Sequence, residues 1–419
     1  MHIGFTPAQQ QLRDELRAYY ADLLSDDIIS ALAAEDGIGP VHRQISRQMG
    51  NDGWLAVGWP IEYGGRGLSA IEQFITFDES VASGAPIPML TINTVGPTIM
   101  DHGTQAQKDY FLPKIAAGEL AFCIGYSEPD AGTDLASLTT KAIKDGDTYI
   151  INGQKTWTSL AKGSDYIWLA ARTNFEAPKH KGISLFAIPM DTPGLTIEPL
   201  SLLSPHNINH TFFDDCRVPA TALIGEENQG WRLITSQLNR ERVTLCSSGM
   251  VSRRLEECEQ WAKTAKRADG SYVIDEPWVR RNLAEVEAGM EFLRLANWKV
   301  AWTVATQLDQ TSTSTSTSTL TSTSTSTTPD VPDPQVMARF IADSSAVKVF
   351  GTEFFIDAYR KLMQIYGQRS YIVEGEPGHL SRLEMMYRST TILTFGGGTN
   401  EMQRDLIAQF GLGYPRADR

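Results

Sequence analysis

Apolar residues recur every three to four positions along most of this chain, and one central block departs from that rhythm. The first helical pattern opens at Thr6-Pro7-Ala8-Gln9, with Thr6 placed to cap, Pro7 at the first helical position and Gln9 completing a capping box. Helical periodicity continues to about residue 120, broken by a Gly/Pro-rich stretch from Gly58-Trp59-Pro60 through Gly67. Between about 121 and 232 the pattern predicts strands at Thr148–Ile151, Tyr166–Arg172, Ile183–Pro189, Leu195–Pro199 and Thr211–Phe213. The turn signals Asp145-Gly146 and Asn152-Gly153 fall between several of them, a spacing that suits antiparallel pairing better than alternating βα units. From Trp231 the long helical patterns return. We therefore expect an α+β chain in three parts: an N-terminal helical domain (1–120), a central antiparallel β-barrel or sandwich domain (121–232) and a C-terminal helical domain (233–419).

Residues 311–328 are almost pure alternating Thr and Ser, interrupted by Leu320 and followed by Pro329, Pro332 and Pro334. The period of two suggests a strand, but small polar residues give neither face anything to bury. A solvated Thr/Ser-rich linker over 309–334 is the expectation.

Composition narrows the function classes. The 419 residues are 42% apolar and 21% charged, ordinary for a globular protein, and the length calls for two or three packed regions. A net charge of −13 with no Lys/Arg run argues against nucleic acid or an anionic membrane as partner, while leaving room for a polyanionic ligand held by local groups. No apolar run approaches the roughly 20 residues of a membrane span. With no signal-like leader either, a cytoplasmic location is expected. Cys123, Cys216, Cys246 and Cys258 are scattered without a CxxC pair and read as reduced thiols. His206 and His210 sit in a Pro/Asn-rich loop, and no metal site is expected.

No strand–GxGxxG–helix unit or GxxxxGK[ST] loop is present; Gly225–Gly230 has the spacing of a phosphate loop, but Trp231 stands where its lysine would be. Two segments instead carry clustered polar chemistry. Tyr126-Ser127-Glu128-Pro129-Asp130-Ala131-Gly132-Thr133-Asp134 and Ile151-Asn152-Gly153-Gln154-Lys155-Thr156-Trp157-Thr158-Ser159 each read as the end of a strand running into a hydroxyl-rich, glycine-containing loop. Such loops present N–H and O–H donors to a polar ligand, and either one alone also suits an ordinary turn.

Together these two segments resemble the flavin-contacting loops of the acyl-CoA dehydrogenase family. The resemblance extends over residues 3–414. It includes Asp52-Gly53-Trp54 through Gly65, Tyr110-Phe111-Leu112-Pro113-Lys114-Ile115 with Gly118-Glu119, and Arg217-Val218-Pro219 followed by Gly225 to Trp231. It also includes Phe395-Gly396-Gly397-Gly398-Thr399-Asn400-Glu401 near the end. The resemblance implies the acyl-CoA dehydrogenase fold, with a C-terminal four-helix bundle, and an FAD-dependent enzyme that turns an acyl-CoA thioester into the trans-2-enoyl thioester. It implies that Tyr126, Ser127, Trp157 and Ser159 contact the isoalloxazine end of FAD and that Thr133 lies toward the substrate. Gln364 and Gly367 would receive the FAD of a neighbouring subunit, and Thr399 and Glu401 would contact the nucleotide. An electron-transfer flavoprotein would be the electron acceptor.

The reaction needs a carboxylate to remove the α-proton, with hydrogen bonds to the thioester oxygen as negative charge develops there. Many family members place that glutamate where this chain has Gly397. On the helix beginning near Trp231, the stripe Ile234, Leu238, Leu245 also carries Glu241 between its last two members. Spacing alone leaves Glu241 open as a base or as a structural carboxylate paired with an arginine. A branch of the family that includes isovaleryl-CoA and long-chain enzymes keeps its base in this helix, in a Leu-x-x-Glu-Arg context that Leu238-Asn239-Arg240-Glu241-Arg242 matches. The resemblance thus assigns Glu241 as base, with the Gly397 N–H and a flavin ribityl hydroxyl polarising the carbonyl.

One departure matters. Homotetrameric members begin the helix after the base-bearing one with an Arg-x-x-Phe-Gly element that grips FAD phosphates across a subunit interface. Here the region reads Asp269-Gly270-Ser271-Tyr272-Val273-Ile274-Asp275-Glu276-Pro277. A subunit without that arginine resembles the branch in which two different chains form an α2β2 heterotetramer, several of which act on bulky thioesters such as steroid side chains. Two other readings stand beside it: a partner subunit without a complete site of its own, and a same-fold flavin oxidase or monooxygenase.

Overall fold

Thr6 caps the first helix as its sequence context predicts: its Oγ1 accepts from Gln9 N (3.2 Å) while Gln9 Oε1 accepts from Thr6 N (3.0 Å). The computed structural model describes residues 4–203, 208–244, 246–308, 333–371 and 379–416, with side-chain surroundings for all of these except 239–244, 371 and 379–381. The Thr/Ser-rich segment and His206 lie outside the described residues. Six helices form the first region: α1 (Pro7–Leu23), α2 (Asp26–Ala34), α3 (Pro40–Asn51), α4 (Ala70–Ser83), α5 (Gly96–His102) and α6 (Gln105–Ala116). Their apolar faces share one core, in which Leu16, Met49, Ile75 and Leu112 are buried.

Eight strands follow: β1 (Phe122–Gly125), β2 (Lys141–Asp145), β3 (Thr148–Ser159), β4 (Tyr166–Arg172), β5 (Ile183–Pro189), β6 (Leu195–Leu200), β7 (Ile208–Pro219) and β8 (Leu223–Ile224). Their order is β6-β7-β3-β2-β4-β5-β8, with β1 paired to β4. Most pairs are antiparallel. The β1–β4 pair is parallel, and β2 meets β4 only at Lys141–Arg172. The eight strands thus form one sheet, linked between β2 and β4 by that single pair, around a shared core of Tyr149, Ile151, Ile167, Leu169, Phe186 and Phe213. β4 is apolar on both faces for a physical reason. Ile167, Leu169 and Ala171 face that core, while Trp168 and Ala170 face the helical core of the first region.

Local sequence pattern misjudged β3 in one respect. The segment from Asn152 to Ser159, expected as a loop, is strand: β3 runs unbroken to Ser159 beside a β7 that begins at Ile208. Asn152-Gly153 is not a turn between strands. It marks a register shift inside β3, and a second shift lies between Lys155 and Thr158. Asp145-Gly146, by contrast, does open a tight hairpin, since Asp145 and Thr148 pair directly.

The third region contains α7 (Gly230–Thr244), α8 (Gly249–Thr264), α9 (Pro277–Thr303), α10 (Pro334–Tyr366), α11 (His379–Thr390) and α12 (Asn400–Leu406). The long helix α10 packs against α7, α8 and α9 around buried Leu255, Val286, Leu293, Phe355 and Tyr359. All four cysteines are buried and free. Among the described residues, no helix is long and apolar enough to cross a membrane.

Candidate active site

The turn after β1 is fixed to β3 by a buried ion pair. Lys155, fully buried, reaches Glu128 Oε1 at 2.8 Å and the Tyr126 carbonyl at 3.0 Å. Glu128 spends its other lone pairs on Thr139 N (2.6 Å), Thr139 Oγ1 (2.7 Å) and Thr140 N (2.8 Å). Burial alone would raise the Glu128 carboxyl, but the Lys155 charge and these donors outweigh it and hold the group at about 2. Burial also pushes Lys155 down, against the pull of Glu128, to about 8. The pair is therefore ionised at neutral pH. Thr156 N adds a hydrogen bond to the Ser127 carbonyl (2.9 Å), so the Tyr126–Ser127 turn lies alongside the stretch that leads to Trp157.

Trp157 is held with φ at 61°, in the left-handed region where a tryptophan is costly, and its side chain remains 57% exposed. The bulge between Lys155 and Thr158 produces both features. The hydroxyls of Ser127 and Ser159 are half-buried, and neither has a hydrogen-bond partner among the described residues. A strained, exposed indole beside two open hydroxyls fits a flat aromatic cofactor with polar edges. Thr133 lies exposed in the turn that follows Ala131.

Tyr126 is buried and links the β-region to α7. Its hydroxyl donates to Gln237 Oε1, which also accepts from Trp168 Nε1 (2.9 Å), and Gln237 Nε2 reaches Thr94 Oγ1 at 3.4 Å. The face of α7 that meets Tyr126 is thus the face bearing Leu233, Ile234 and Gln237, all buried. Residue 241 lies one helical turn beyond Gln237 on that face, and the Glu241 side chain itself is outside the described residues.

The remaining candidates fall into two groups. Gly397 and Gly398 adopt φ of 66° and 94°, and Thr399 caps α12, its Oγ1 accepting from Met402 N at 3.3 Å. Glu401 is exposed in the first turn of α12. A backbone hydrogen bond and Thr399 hold its carboxyl below the ordinary value. Exposed Gln364 and half-buried Gly367 lie at the other end of α10. Arg404 of α12 meets Glu353 of α10 at 2.7 Å, and Gln364 is 11 residues further on, about 16 Å along the helix. The chain therefore does not bring Gln364 and Gly367 to Thr399 and Glu401.

The segment at 269–277 is occupied with itself. Asp269 accepts from Ser271 N (3.0 Å) and Ser271 Oγ (2.6 Å), while Arg267 pairs with Asp269 and Glu276. Sequence reasoning also passed over Lys155, Gln237, Lys348 and Asn400. Lys348, fully buried in α10, donates to the Thr394 carbonyl (3.1 Å) and Asn400 Oδ1 (2.8 Å). A signal for it existed: Phe340, Ser344, Lys348, Thr352 and Phe355 fall on one buried stripe, the same logic that singled out Glu241.

Three sequence profiles tile the chain: the acyl-CoA dehydrogenase N-terminal domain over residues 6–119, the middle domain over 123–216 and the C-terminal domain over 228–412. The chain belongs to the acyl-CoA dehydrogenase family. Acyl-CoA dehydrogenase FadE26 of Mycobacterium tuberculosis is 47% identical to it, with all of both chains covered, and FadE29 of the same organism is 42% identical, again over all of both. Among solved structures, the ChsE4-ChsE5 complex from Mycobacterium tuberculosis matches with a TM-score of 0.85 at 46% identity, covering all of both chains. The Tcur3481-Tcur3483 steroid ACAD matches with a TM-score of 0.86 at 41% identity, likewise complete. This acyl-CoA dehydrogenase is accordingly an FAD-dependent flavoenzyme, and the open groups on Ser127, Trp157 and Ser159 suit that cofactor.

Proposed function

We propose that this acyl-CoA dehydrogenase uses Glu241 to remove the α-proton of a bulky, steroid side-chain-like acyl-CoA, and that it works as one of two kinds of chain in an α2β2 assembly. The observation that carries the base assignment is the burial of Gln237 against Tyr126 and Trp168 one turn before position 241, in a chain whose alternative position holds Gly397. A carboxylate on that face loses water, and desolvation raises its basicity toward the value a proton acceptor needs. Bound FAD supplies the hydride acceptor for the β-carbon. The chain's own residues orient the thioester, exclude water and take up the α-proton on the Glu241 carboxylate. The Gly397 N–H donates to the thioester oxygen as its charge grows. The product is the trans-2-enoyl thioester, and an electron-transfer flavoprotein is the acceptor we assign to the reduced enzyme.

The bulky substrate and the two-chain assembly rest on likeness to the ChsE4-ChsE5 complex and the Tcur3481-Tcur3483 steroid ACAD. The self-paired Arg267 loop supports the second of these, because it offers no free guanidinium in the segment where homotetrameric relatives grip FAD phosphates. The test is co-expression with a neighbouring dehydrogenase-like chain, followed by flavin content per subunit and turnover on a panel of acyl-CoA thioesters. Glu241→Gln in that complex should keep its FAD and lose 10²- to 10⁴-fold in kcat, on the order of a general base's contribution. Full turnover by the variant would remove Glu241 from the mechanism. A chain that purifies alone as an FAD-saturated, active tetramer would remove the partner.

A further inference from the structure

Lys348 stands between the helix that carries position 241 and the glycine turn. Its ammonium binds on both flanks of that turn, at the Thr394 carbonyl (3.1 Å) before it and at Asn400 Oδ1 (2.8 Å) after it. Its own carbonyl accepts from Cys246 Sγ (3.7 Å), two residues past the end of α7. Gly351, one turn further along α10, makes the approach possible. A Cβ there would fall 2.7 Å from Cys246 Cβ, nearer than a real side chain tolerates. Asn400 is itself locked, its Nδ2 donating to Thr352 Oγ1 and Glu353 Oε1, both at 3.1 Å. The residues 395–399 are therefore spanned by one buried ammonium; Phe395 N (3.2 Å) and Gly396 N (2.9 Å) also donate to the Ile392 carbonyl, and within the segment Gly397 and Gly398 keep left-handed φ.

We infer that Lys348 is a positioning residue: it sets the direction of the Gly397 N–H and fixes the distance between that donor and the α7 helix. The inference rests on the reading of Gly397 as the donor to the thioester oxygen. An oxyanion donor acts only if its direction is fixed before charge develops, and a glycine turn has no side-chain packing to fix it. A burial of this kind is costly for an ammonium unless oxygen acceptors converge on it. Here two of its acceptors belong to the two ends of the turn, so desolvating the charge and closing the turn are coupled.

The test uses the FAD-loaded complex, the variants Lys348→Met and Asn400→Leu, and dimethylaminocinnamoyl-CoA as a chromophoric, unreactive analogue of the enoyl product. A carbonyl polarised by a fixed donor shifts the analogue's absorption to the red. We expect a red shift with the unmodified enzyme that falls by more than half in Lys348→Met and less in Asn400→Leu. We also expect kcat to drop roughly 10- to 100-fold, short of outright loss of an oxyanion donor, with KM changed less than threefold. The shift is read only on FAD-containing protein, so a loss of cofactor cannot imitate it. If Lys348→Met does not fold, Asn400→Leu decides. A red shift undiminished in the variants overturns the role of Lys348. No red shift in the unmodified enzyme overturns the Gly397 reading instead, and the inference with it.

Discussion

Lys155 Nζ and Glu128 Oε1 lie 2.8 Å apart with both side chains buried, and this ion pair helps tie the Tyr126–Ser127 turn to the bulged strand that displays Trp157. Removing one member of a buried pair leaves the other charge without compensation, typically at 3–5 kcal/mol. Lys155→Met strands the Glu128 carboxylate and frees the Tyr126 carbonyl. We expect a stability loss of about 3 kcal/mol or more in urea unfolding, with substoichiometric FAD. Glu128→Gln should be milder, because Lys155, already pushed down to about 8, can shed its proton once its counter-charge is gone. Equal losses in the two variants would contradict this asymmetry.

Acid should act on Glu128 and Asp78 with opposite signs. The Glu128 carboxyl is held at about 2 in the folded chain against 4.5 as its ordinary value. The stability it contributes is present above about 4.5 and is lost as pH falls toward 2. Asp78 on α4 is half-buried, and desolvation raises its carboxyl above 3.8. The hydrogen bonds from Ser247 Oγ (2.6 Å), Ser248 Oγ (2.9 Å) and Gly249 N (3.3 Å) only partly offset this. The folded state then holds that proton longer than the unfolded one, so this group's contribution is full below 3.8 and declines as pH rises through its folded value. Urea midpoints measured from pH 3 to 7 should show Asp78→Asn gaining on the parent protein as pH rises.

Trp157 sets backbone strain against ligand contact. Asparagine tolerates a left-handed φ far better than tryptophan, and the strain amounts to about 1–2 kcal/mol. Trp157→Asn should leave the cofactor-free protein as stable as before or more so, while weakening FAD binding roughly 10-fold through lost aromatic contact. Thermal unfolding of the apoprotein and flavin titration check the two signs separately. Equal FAD affinity in the variant would take Trp157 out of the cofactor surface.

Gln237 is the acceptor shared by Tyr126 and Trp168. Gln237→Leu removes the acceptor from both, and because Trp168 Nε1 still reaches the Tyr126 hydroxyl at 3.1 Å, the expected loss is at the lower end, about 1 kcal/mol. Because Tyr126 lies in the turn beside the strand we propose to contact the flavin, the flavin absorption spectrum of the variant should change together with its stability. An unchanged flavin spectrum at reduced stability would make Gln237 purely structural.

Much of this was legible without coordinates. Thr6-Pro7-Ala8-Gln9 specified its own capping box, and the patterns at 166–172 and 183–189 marked strands. These are local properties: a cap and a periodicity are satisfied within a few residues of chain. The stretch from Asn152 to Ser159 misled for the same reason. Its glycine and hydroxyls resemble a loop locally, and only the β7 partner, some 60 residues away, makes it a bulged strand.

The sequence by itself determined the order of helical and β regions, the family and the identity of the candidate groups, because each is written in short-range pattern or motif. Tertiary structure alone decided that Lys155 meets Glu128, that Gln237 meets Tyr126 and that Lys348 holds both ends of the glycine turn. A buried polar side chain is tolerable only with its partner in place, and those partners are 27 to 111 residues distant. No window of sequence contains both halves of such a pair.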